Sequence, residues 1–372
     1  MAKFKVNCSN CSQALEADEA WIGMELPCPM CGKKFKLQKP TLQVSAKSGD
    51  GGVKGVADGV MKSAFGVDKL QDFNFAHIVQ QIFKFRKWEE KEDYLSYGMP
   101  CKTPPLAEID TSWPAPWLFV RVITLTILST LFLVWKMDFL GLQNIALPIV
   151  VLGVVGIPIA TLVLFWELNV PRNVSFLALC RIAWINGLVS IVATVIIQNF
   201  VGGYTNAIWA GPVEETAKAI AMLFFIGNKK YRFKLNGLLI GAAVGAGFAI
   251  VETGGYFIGY SHVGMGGETI IIRALLSPFA HIPWSAMVGF ALWRVKGDDG
   301  FDFKKLWSHK FISLFACAVG LHMFNNSSLL KDEMIIRTAI LAAVEYGIII
   351  YLVQDGINEI RQEKEKLSTD QQ

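Results

Sequence analysis

The sequence is poor in charged residues for its length. Only 18% of its 372 residues are Asp, Glu, Lys or Arg, whereas 53% are hydrophobic, and the mean hydropathy is +0.40. Soluble domains carry charge on about a quarter of their residues, so this composition argues against a soluble protein. From Trp117 onward, apolar runs of about twenty residues recur, each long enough to cross a bilayer. We therefore predict an all-α polytopic membrane protein.

Basic residues are missing from two short loops, and this absence sets the predicted orientation. We predict eight transmembrane helices, at 117–137, 145–166, 175–198, 206–227, 235–258, 270–293, 311–330 and 333–353. Loops 199–205 and 259–269 lack Lys and Arg, whereas the loops after the fourth and sixth segments are rich in both. Because basic loops remain in the cytosol, both termini are predicted to be cytosolic. We expect a multi-pass protein of a bacterial plasma membrane.

Cysteine is scarce outside one N-terminal pattern. Residues 1–20 lack the apolar core of a secretory signal, so we expect this end to lie in a reducing compartment. Cys8-x-x-Cys11 and Cys28-x-x-Cys31 are separated by sixteen residues, the spacing of a zinc ribbon with four thiolate ligands. Such a closed site predicts a structural Zn²⁺. Two disulfides or two incidental pairs are the alternative.

The remaining chain divides by composition. We predict a zinc ribbon (1–39), a flexible linker (40–62), a cytosolic or interfacial amphipathic segment (63–112), an eight-helix membrane domain (113–355) and a charged cytosolic tail (356–372). The amphipathic segment carries an apolar stripe at helical spacing from Phe75 to Phe83. We interpret this stripe as a helix on the inner membrane surface. Packing on the protein's own cytosolic loops is the alternative.

Carboxylates, an amine and imidazoles interrupt four consecutive apolar segments. Each charge in a span costs about 2.5–3.5 kcal/mol, so such groups are expected to face a protein interior or a wet cavity. Helical rise places the carboxylates and the imidazoles about 9–16 Å below the outer ends of their segments, in one layer. These residues are Glu214, Glu215 and Lys218 in the fourth segment, Glu252 in the fifth, His281 in the sixth and His322 in the seventh.

This layer is typical of metal-assisted hydrolysis. Two imidazoles and a carboxylate are a common ligand set for catalytic zinc, so Glu252, His281 and His322 are the predicted ligands of a second Zn²⁺. Glu214 or Glu215 is the predicted general base. Lys218 lies one helical turn from both acids and neutralises one of them. Ser285 and Asn326 follow the histidines at i+4, as outer or oxyanion partners.

Glycine and proline support a tight bundle around this layer. Gly237, Gly241 and Gly245 repeat every four residues and continue to Ala249, which predicts close helix packing. Pro278 and Pro283 flank His281, so the sixth segment is predicted to be kinked or opened there.

The motifs resemble a known family. Glu214-Glu215-x-x-Lys218, Phe248-x-x-x-Glu252, His281 and His322 in successive segments resemble the PrsW-type intramembrane proteases, which are distantly similar to the prenyl-protein (CAAX) endopeptidases. The resemblance covers residues 205–330. It implies cleavage of membrane-anchored regulatory proteins near the outer face, often at the start of a signalling cascade. The ribbon lies outside the resemblance.

Two other functions compete with the protease. A proton- or cation-coupled transporter would use the same acids and histidines, and a non-catalytic scaffold or sensor would use the ribbon to bind a cytosolic partner. A metal-free mechanism based on the glutamates is also open. The expected partners are a membrane-anchored protein substrate and the lipid bilayer, and nucleic acid is not expected.

Overall fold

The structure is a computed structural model that divides into two units, Met1–Gly59 and Val60–Gln372, each described here by itself. The described residues are 3–7, 14–18, 21, 24–36, 53–140, 148, 151–203, 206–261, 267–297 and 301–369.

Two antiparallel hairpins lie in the described part of the first unit before residue 53. Strand β1 (Lys3–Asn7) pairs with β2 (Ala14–Asp18), and β3 (Glu25–Pro27) pairs with β4 (Lys34–Lys36). Cys28 begins the turn between β3 and β4, where its carbonyl accepts a hydrogen bond from Gly32 N at 2.8 Å. Gly32 has a φ of +70°, a backbone conformation that favours glycine. Cys8 and Cys11 lie outside the described residues, so the four-cysteine site stays a prediction.

Helices form nearly all of the second unit. Helix α1 (Val53–Phe65) begins inside the predicted linker and crosses the boundary between the units. The other helices are α2 (Phe75–Phe83), α3 (Trp88–Leu95), α4 (Trp117–Leu140), α5 (Ile157–Leu168, after a π-helical turn at Val151–Gly156), α6 (Phe176–Phe200), α7 (Ala210–Ile226), α8 (Lys234–Ser261), α9 (Gly267–Leu276), α10 (His281–Lys296), α11 (His309–Asn326) and α12 (Met334–Thr369).

Six segments of the described chain are long and apolar enough to cross a membrane. They confirm an all-α multi-pass membrane protein. The prediction of eight spans differs at the fourth and seventh segments, where the structure has α7, with 17 residues, and α11, with 18. Both are helices at the predicted places, but neither combines the length and the apolar composition of the other six. Because α7 and α11 carry charged and imidazole groups of the site, their polarity is the physical reason.

Helix α8 lies at the centre of the bundle and packs against α5, α6, α7 and α10. Its glycines allow direct backbone contact with α10. A Cβ added at Gly241 would lie 2.1 Å from the Ser285 carbonyl oxygen, and one added at Gly245 would lie 2.4 Å from that of His281. The predicted small-residue face is therefore confirmed, and it brings α8 against the start of α10.

At one end of the bundle, the C-terminal half of α12 contacts the segment that precedes α4. Arg361 Nη2 donates to the Thr111 carbonyl at 3.0 Å, and Lys364 Nζ donates to that of Ile109 at 2.9 Å. Helix α12 continues unbroken to Thr369, so most of the predicted tail is helical. In α2, Phe75 and Phe83 are exposed, as a helix lying on a membrane surface requires.

Candidate active site

Four helices bring six ionisable side chains into one cluster, in which all but the partly exposed Glu252 are buried. Glu214, Glu215 and Lys218 come from α7, and each of the three neighbouring helices adds one side chain. The added residues are Glu252 from α8, His281 from α10 and His322 from α11. The predicted layer thus corresponds to a set of side chains in mutual contact.

Lys218 neutralises Glu215 more closely than Glu214. Its Nζ lies 2.7 Å from Glu215 Oε1 and 3.8 Å from Glu214 Oε2. The same Nζ lies 2.9 Å from His281 Nδ1 and 4.1 Å from the centre of the Phe248 ring. The ammonium is fully buried, and this ion pair with the added cation–π contact offsets its loss of hydration.

Each histidine uses one ring nitrogen to bind a carboxylate. His322 Nδ1 lies 2.9 Å from Glu215 Oε1, and His281 Nε2 lies 2.9 Å from Glu252 Oε2. A neutral imidazole donates from one nitrogen and accepts at the other, so these bonds assign the protons to His322 Nδ1 and His281 Nε2. The lone pairs are then on His322 Nε2 and His281 Nδ1.

Those two lone-pair nitrogens face Glu214. Glu214 Oε2 lies 3.7 Å from His322 Nε2 and 3.8 Å from His281 Nδ1. This oxygen is buried and has no hydrogen-bond partner among the described residues. Atoms bound tetrahedrally to one zinc ion lie about 3.4 Å apart, given zinc–ligand distances of about 2.1 Å. The donor set of Glu214, His281 and His322 therefore fits a metal ion, with ligand atoms all within 4.8 Å of one another.

Glu252 has a different environment from Glu214. Its Oε2 contacts His281 Nε2 and also lies 3.0 Å from Arg273 Nη2. A carboxylate that binds the outer nitrogen of a histidine orients that ring for a metal on its other side. Sequence reasoning missed Arg273, which lies near the end of a predicted segment, where arginine commonly reaches toward water.

Ser285 and Asn326, the predicted i+4 partners of the histidines, have different surroundings. Ser285 is fully buried, and its Oγ has no hydrogen-bond partner in the described part of the chain. Asn326 is the last residue of α11, and its Nδ2 donates to the Ala207 carbonyl at 3.2 Å. The structure does not bring Asn326 into contact with the charged cluster. Its predicted catalytic role has no support from this geometry.

The sixth predicted segment is broken immediately before His281, as its prolines predicted. Helix α9 ends at Leu276, a 3₁₀ turn covers Ser277–Phe279, and α10 begins at His281. Ala280 between them has φ −145° and ψ −122°, which is not helical. The break places His281 at a helix N-terminus, where backbone N–H groups favour nearby negative charge.

A cavity of about 190 Å³ adjoins the cluster. Glu252 and His281 form part of its wall, and Arg273 and Arg337 line it from α9 and α12. It therefore connects Glu252 and His281 with polar groups near the ends of neighbouring helices. A space of this kind can bring water to polar groups inside a membrane protein.

The fold and this cluster define a helical multi-pass membrane protein with a buried carboxylate–imidazole centre. Residues 173–353 match the model of the PrsW family of intramembrane metalloproteases. The matched region contains all six residues of the cluster, and the match bears out the family resemblance that the motifs predicted. The match supports an intramembrane protease. No curated protein and no solved structure gives a significant match.

Proposed function

We propose that the protein is a metal-dependent intramembrane endopeptidase in which Glu214, His281 and His322 hold the ion. One observation carries this assignment. Each histidine binds an outer carboxylate through one nitrogen. The other nitrogen of each ring faces Glu214 Oε2, which accepts no hydrogen bond from the described residues. Glu252, the ligand expected from the sequence, orients His281 from outside in this arrangement. When bound, zinc would polarise the scissile carbonyl and acidify a bound water.

The chain's own groups handle the proton. Glu215 Oε1 binds Lys218 and His322, which keeps that carboxylate ionised and fixed. Its Oε2 is buried without a hydrogen-bond partner among the described residues, so this oxygen is assigned to take a proton from the attacking water. Water adds to the carbonyl carbon, the carbon–nitrogen bond breaks, and Glu215 returns the proton to the leaving amine.

A metal-free glutamate protease is the second candidate. Lys218 Nζ lies 2.9 Å from His281 Nδ1, the nitrogen that the metal proposal needs. An ammonium and a metal ion compete for this lone pair, so metal binding requires Lys218 to turn fully toward Glu215. If Lys218 keeps the nitrogen instead, Glu214 and Glu215 carry out the acid–base chemistry without an ion.

The substrate is proposed to be a membrane-anchored regulatory protein, cut near the outer face of the plasma membrane. Basic loops support cytosolic termini, since Lys229, Lys230, Arg232 and Lys234 follow α7 and the positive-inside rule places them in the cytosol. The N-terminal unit is proposed to hold a structural zinc through its four cysteines and to contact a cytosolic partner. A signalling role follows from such a substrate.

Elemental analysis of the full chain in detergent tests the metal assignment. We expect two zinc ions per chain in the wild type, one of them in the N-terminal unit. His322→Ala should lose one ion, and Glu214→Gln should lose it or bind it far more weakly. Glu252→Gln should retain the ion with about 10–100-fold lower affinity, because it removes an outer partner. His309→Ala, an exposed histidine on the same helix, is the matched control.

Cleavage tests the reaction itself. The full chain would be reconstituted with single-span membrane proteins, and new termini would be identified by mass spectrometry. Cleavage by the wild type that disappears in folded Glu215→Gln would support the proposal. Equal metal content in all variants, with cleavage still dependent on Glu214 and Glu215, would favour the metal-free candidate. Equal cleavage by Glu215→Gln would contradict both.

A further inference from the structure

Trp284 contacts both histidines of the candidate active site. Its ring stacks on that of His322, with ring centres 4.4 Å apart and planes 24° apart. It also meets the His281 ring edge to face at 5.3 Å. Trp284 is fully buried and lies one turn after His281 on α10. Because it packs against both rings, the orientation of this indole affects the directions of both imidazoles.

A carboxylate from the last helix fixes this indole. Glu345 of α12 is fully buried, and its Oε1 accepts a hydrogen bond from Trp284 Nε1 at 2.5 Å. Its Oε2 has no hydrogen-bond partner in the described part of the chain. A carboxylate is a stronger acceptor than a neutral group, but inside a membrane it is costly. An acid used for one bond to an indole therefore calls for a functional reason.

Tyr346, the next residue of α12, contacts the chain immediately before His281. Tyr346 OH donates to the Pro278 carbonyl at 2.8 Å, in the 3₁₀ turn that precedes His281. Glu345 and Tyr346, which are adjacent in α12, therefore bind two neighbours of the histidines. Glu345 binds the Trp284 ring, and Tyr346 binds the turn before α10.

We propose that Glu345 is a positioning residue for hydrolysis, acting through Trp284. Its carboxyl fixes the indole, and the indole holds the His322 ring in the plane that directs Nε2 at Glu214 and Nδ1 at Glu215. This inference rests on the proposed function, since it gives His322 a part in the reaction. Glu345 itself does not touch the reacting atoms.

Three variants separate positioning from packing. Glu345→Gln retains an acceptor for the indole N–H, Glu345→Leu removes it, and Trp284→Phe retains a ring but removes the donor. We expect kcat to fall about 10–100-fold in Glu345→Leu and Trp284→Phe, the usual loss for an outer orienting partner, with KM changed less than about threefold. Glu345→Gln should stay within about threefold of wild type. Val344→Ala, at an exposed neighbouring position, is the control.

The double variant Trp284→Phe with Glu345→Leu guards against simple misfolding. It removes both the indole N–H and the carboxyl, so neither is left without the other, and it should recover the thermal stability that either single change loses. A purely structural role predicts that kcat recovers together with stability. A positioning role predicts that stability recovers while kcat stays low.

A spectroscopic measurement makes the test independent of activity. In protein labelled with ¹⁵N-histidine, the His322 ring signal can be assigned by its loss in His322→Ala. We expect one tautomer, protonated on Nδ1, in the wild type and in Glu345→Gln. In Glu345→Leu we expect tautomer exchange or broadening. An unchanged His322 signal in folded Glu345→Leu would overturn the proposal, and so would an unchanged kcat. A wild type without cleavage but with the expected His322 change would count against the proposed function alone.

Discussion

Helices α4 and α8 differ in hydropathy and in burial, and the two differences run in opposite directions. In the membrane span of α4, the mean hydropathy is 2.1 and 11% of the most apolar window is buried. In the span of α8, the mean hydropathy is 1.7 and 83% of that window is buried. The more apolar helix is therefore the more exposed one, the reverse of a soluble protein. Lipid is as apolar as leucine, so hydrophobicity does not drive helices together in a membrane. Small residues, which allow close packing, and polar contacts between helices place α8 inside the bundle.

The largest expected difference in stability is between the loss of a buried phenylalanine of α8 and the loss of an exposed one of α4. Phe248 on α8 is 1% exposed and packs against Lys218 and His281, whereas Phe132 on α4 is 54% exposed. Phe248→Ala should cost about 3–5 kcal/mol of stability, because it leaves a cavity. Phe132→Ala should change stability by about 0.5 kcal/mol or less. Unfolding by SDS from mild detergent measures both, and similar losses would break the comparison.

Two glycines of α8 give the next largest difference. Gly241→Ala adds a methyl group 2.1 Å from the Ser285 carbonyl oxygen. A Cβ added at Gly254 would meet nothing within 4 Å in the described part of the chain, apart from the adjacent backbone of its own helix. Gly241→Ala should cost about 1–3 kcal/mol or more. Gly254→Ala should be neutral or stabilise by about 0.5–1 kcal/mol, since alanine favours a helix. Thermal unfolding compares them, and a neutral Gly241→Ala would refute the close packing.

The smallest expected effect lies where α4 is held at one end. Glu167 accepts hydrogen bonds from Leu118 N at 3.1 Å and Phe119 N at 2.7 Å, and Tyr94 OH donates to it at 2.8 Å. Tyr94→Phe should cost about 1 kcal/mol, the usual value of one hydrogen bond. The same unfolding assay measures it, with exposed Trp88→Phe as the control.

This contact also has a pH dependence with a definite sign. Burial raises the pKa of Tyr94 above its ordinary value. Because the folded pKa is the higher one, the contribution is fully present below about pH 10, the ordinary tyrosine value, and is lost as pH rises through the folded value. The stability difference between wild type and Tyr94→Phe should therefore fall as the pH rises beyond about 10. A difference that stays the same on raising the pH through this range would contradict the assignment.

The sequence located the site because of the cost of polarity in a membrane. Glu214, Glu252, His281 and His322 stand out against apolar surroundings, and helical rise alone assigned them one depth. The glycine repeat and the break before His281 were also predictable, since both follow from local chemistry. The resemblance to the PrsW family followed from the same residues.

The division of roles among these residues was not predictable. Spacing could not decide which glutamate Lys218 would bind, because i+3 and i+4 are both within reach. It also gave no sign that Arg273 would contact Glu252, or that Glu345 would bind Trp284. Such pairings depend on the rotation of each helix about its axis, which the order of residues does not determine.

The backbone contact between α8 and α10 has a consequence for bilayers of different thickness. Gly237, Gly241 and Gly245 meet the carbonyl oxygens of Gly289, Ser285 and His281, so each four-residue step along one helix matches a step back along the other. A helix normally adapts to a thinner or thicker bilayer by tilting. These two helices can tilt only together, because no flexible side chain separates them. The distance between Glu252 and His281 is then preserved, and a change in lipid thickness moves the whole site to another depth in the membrane.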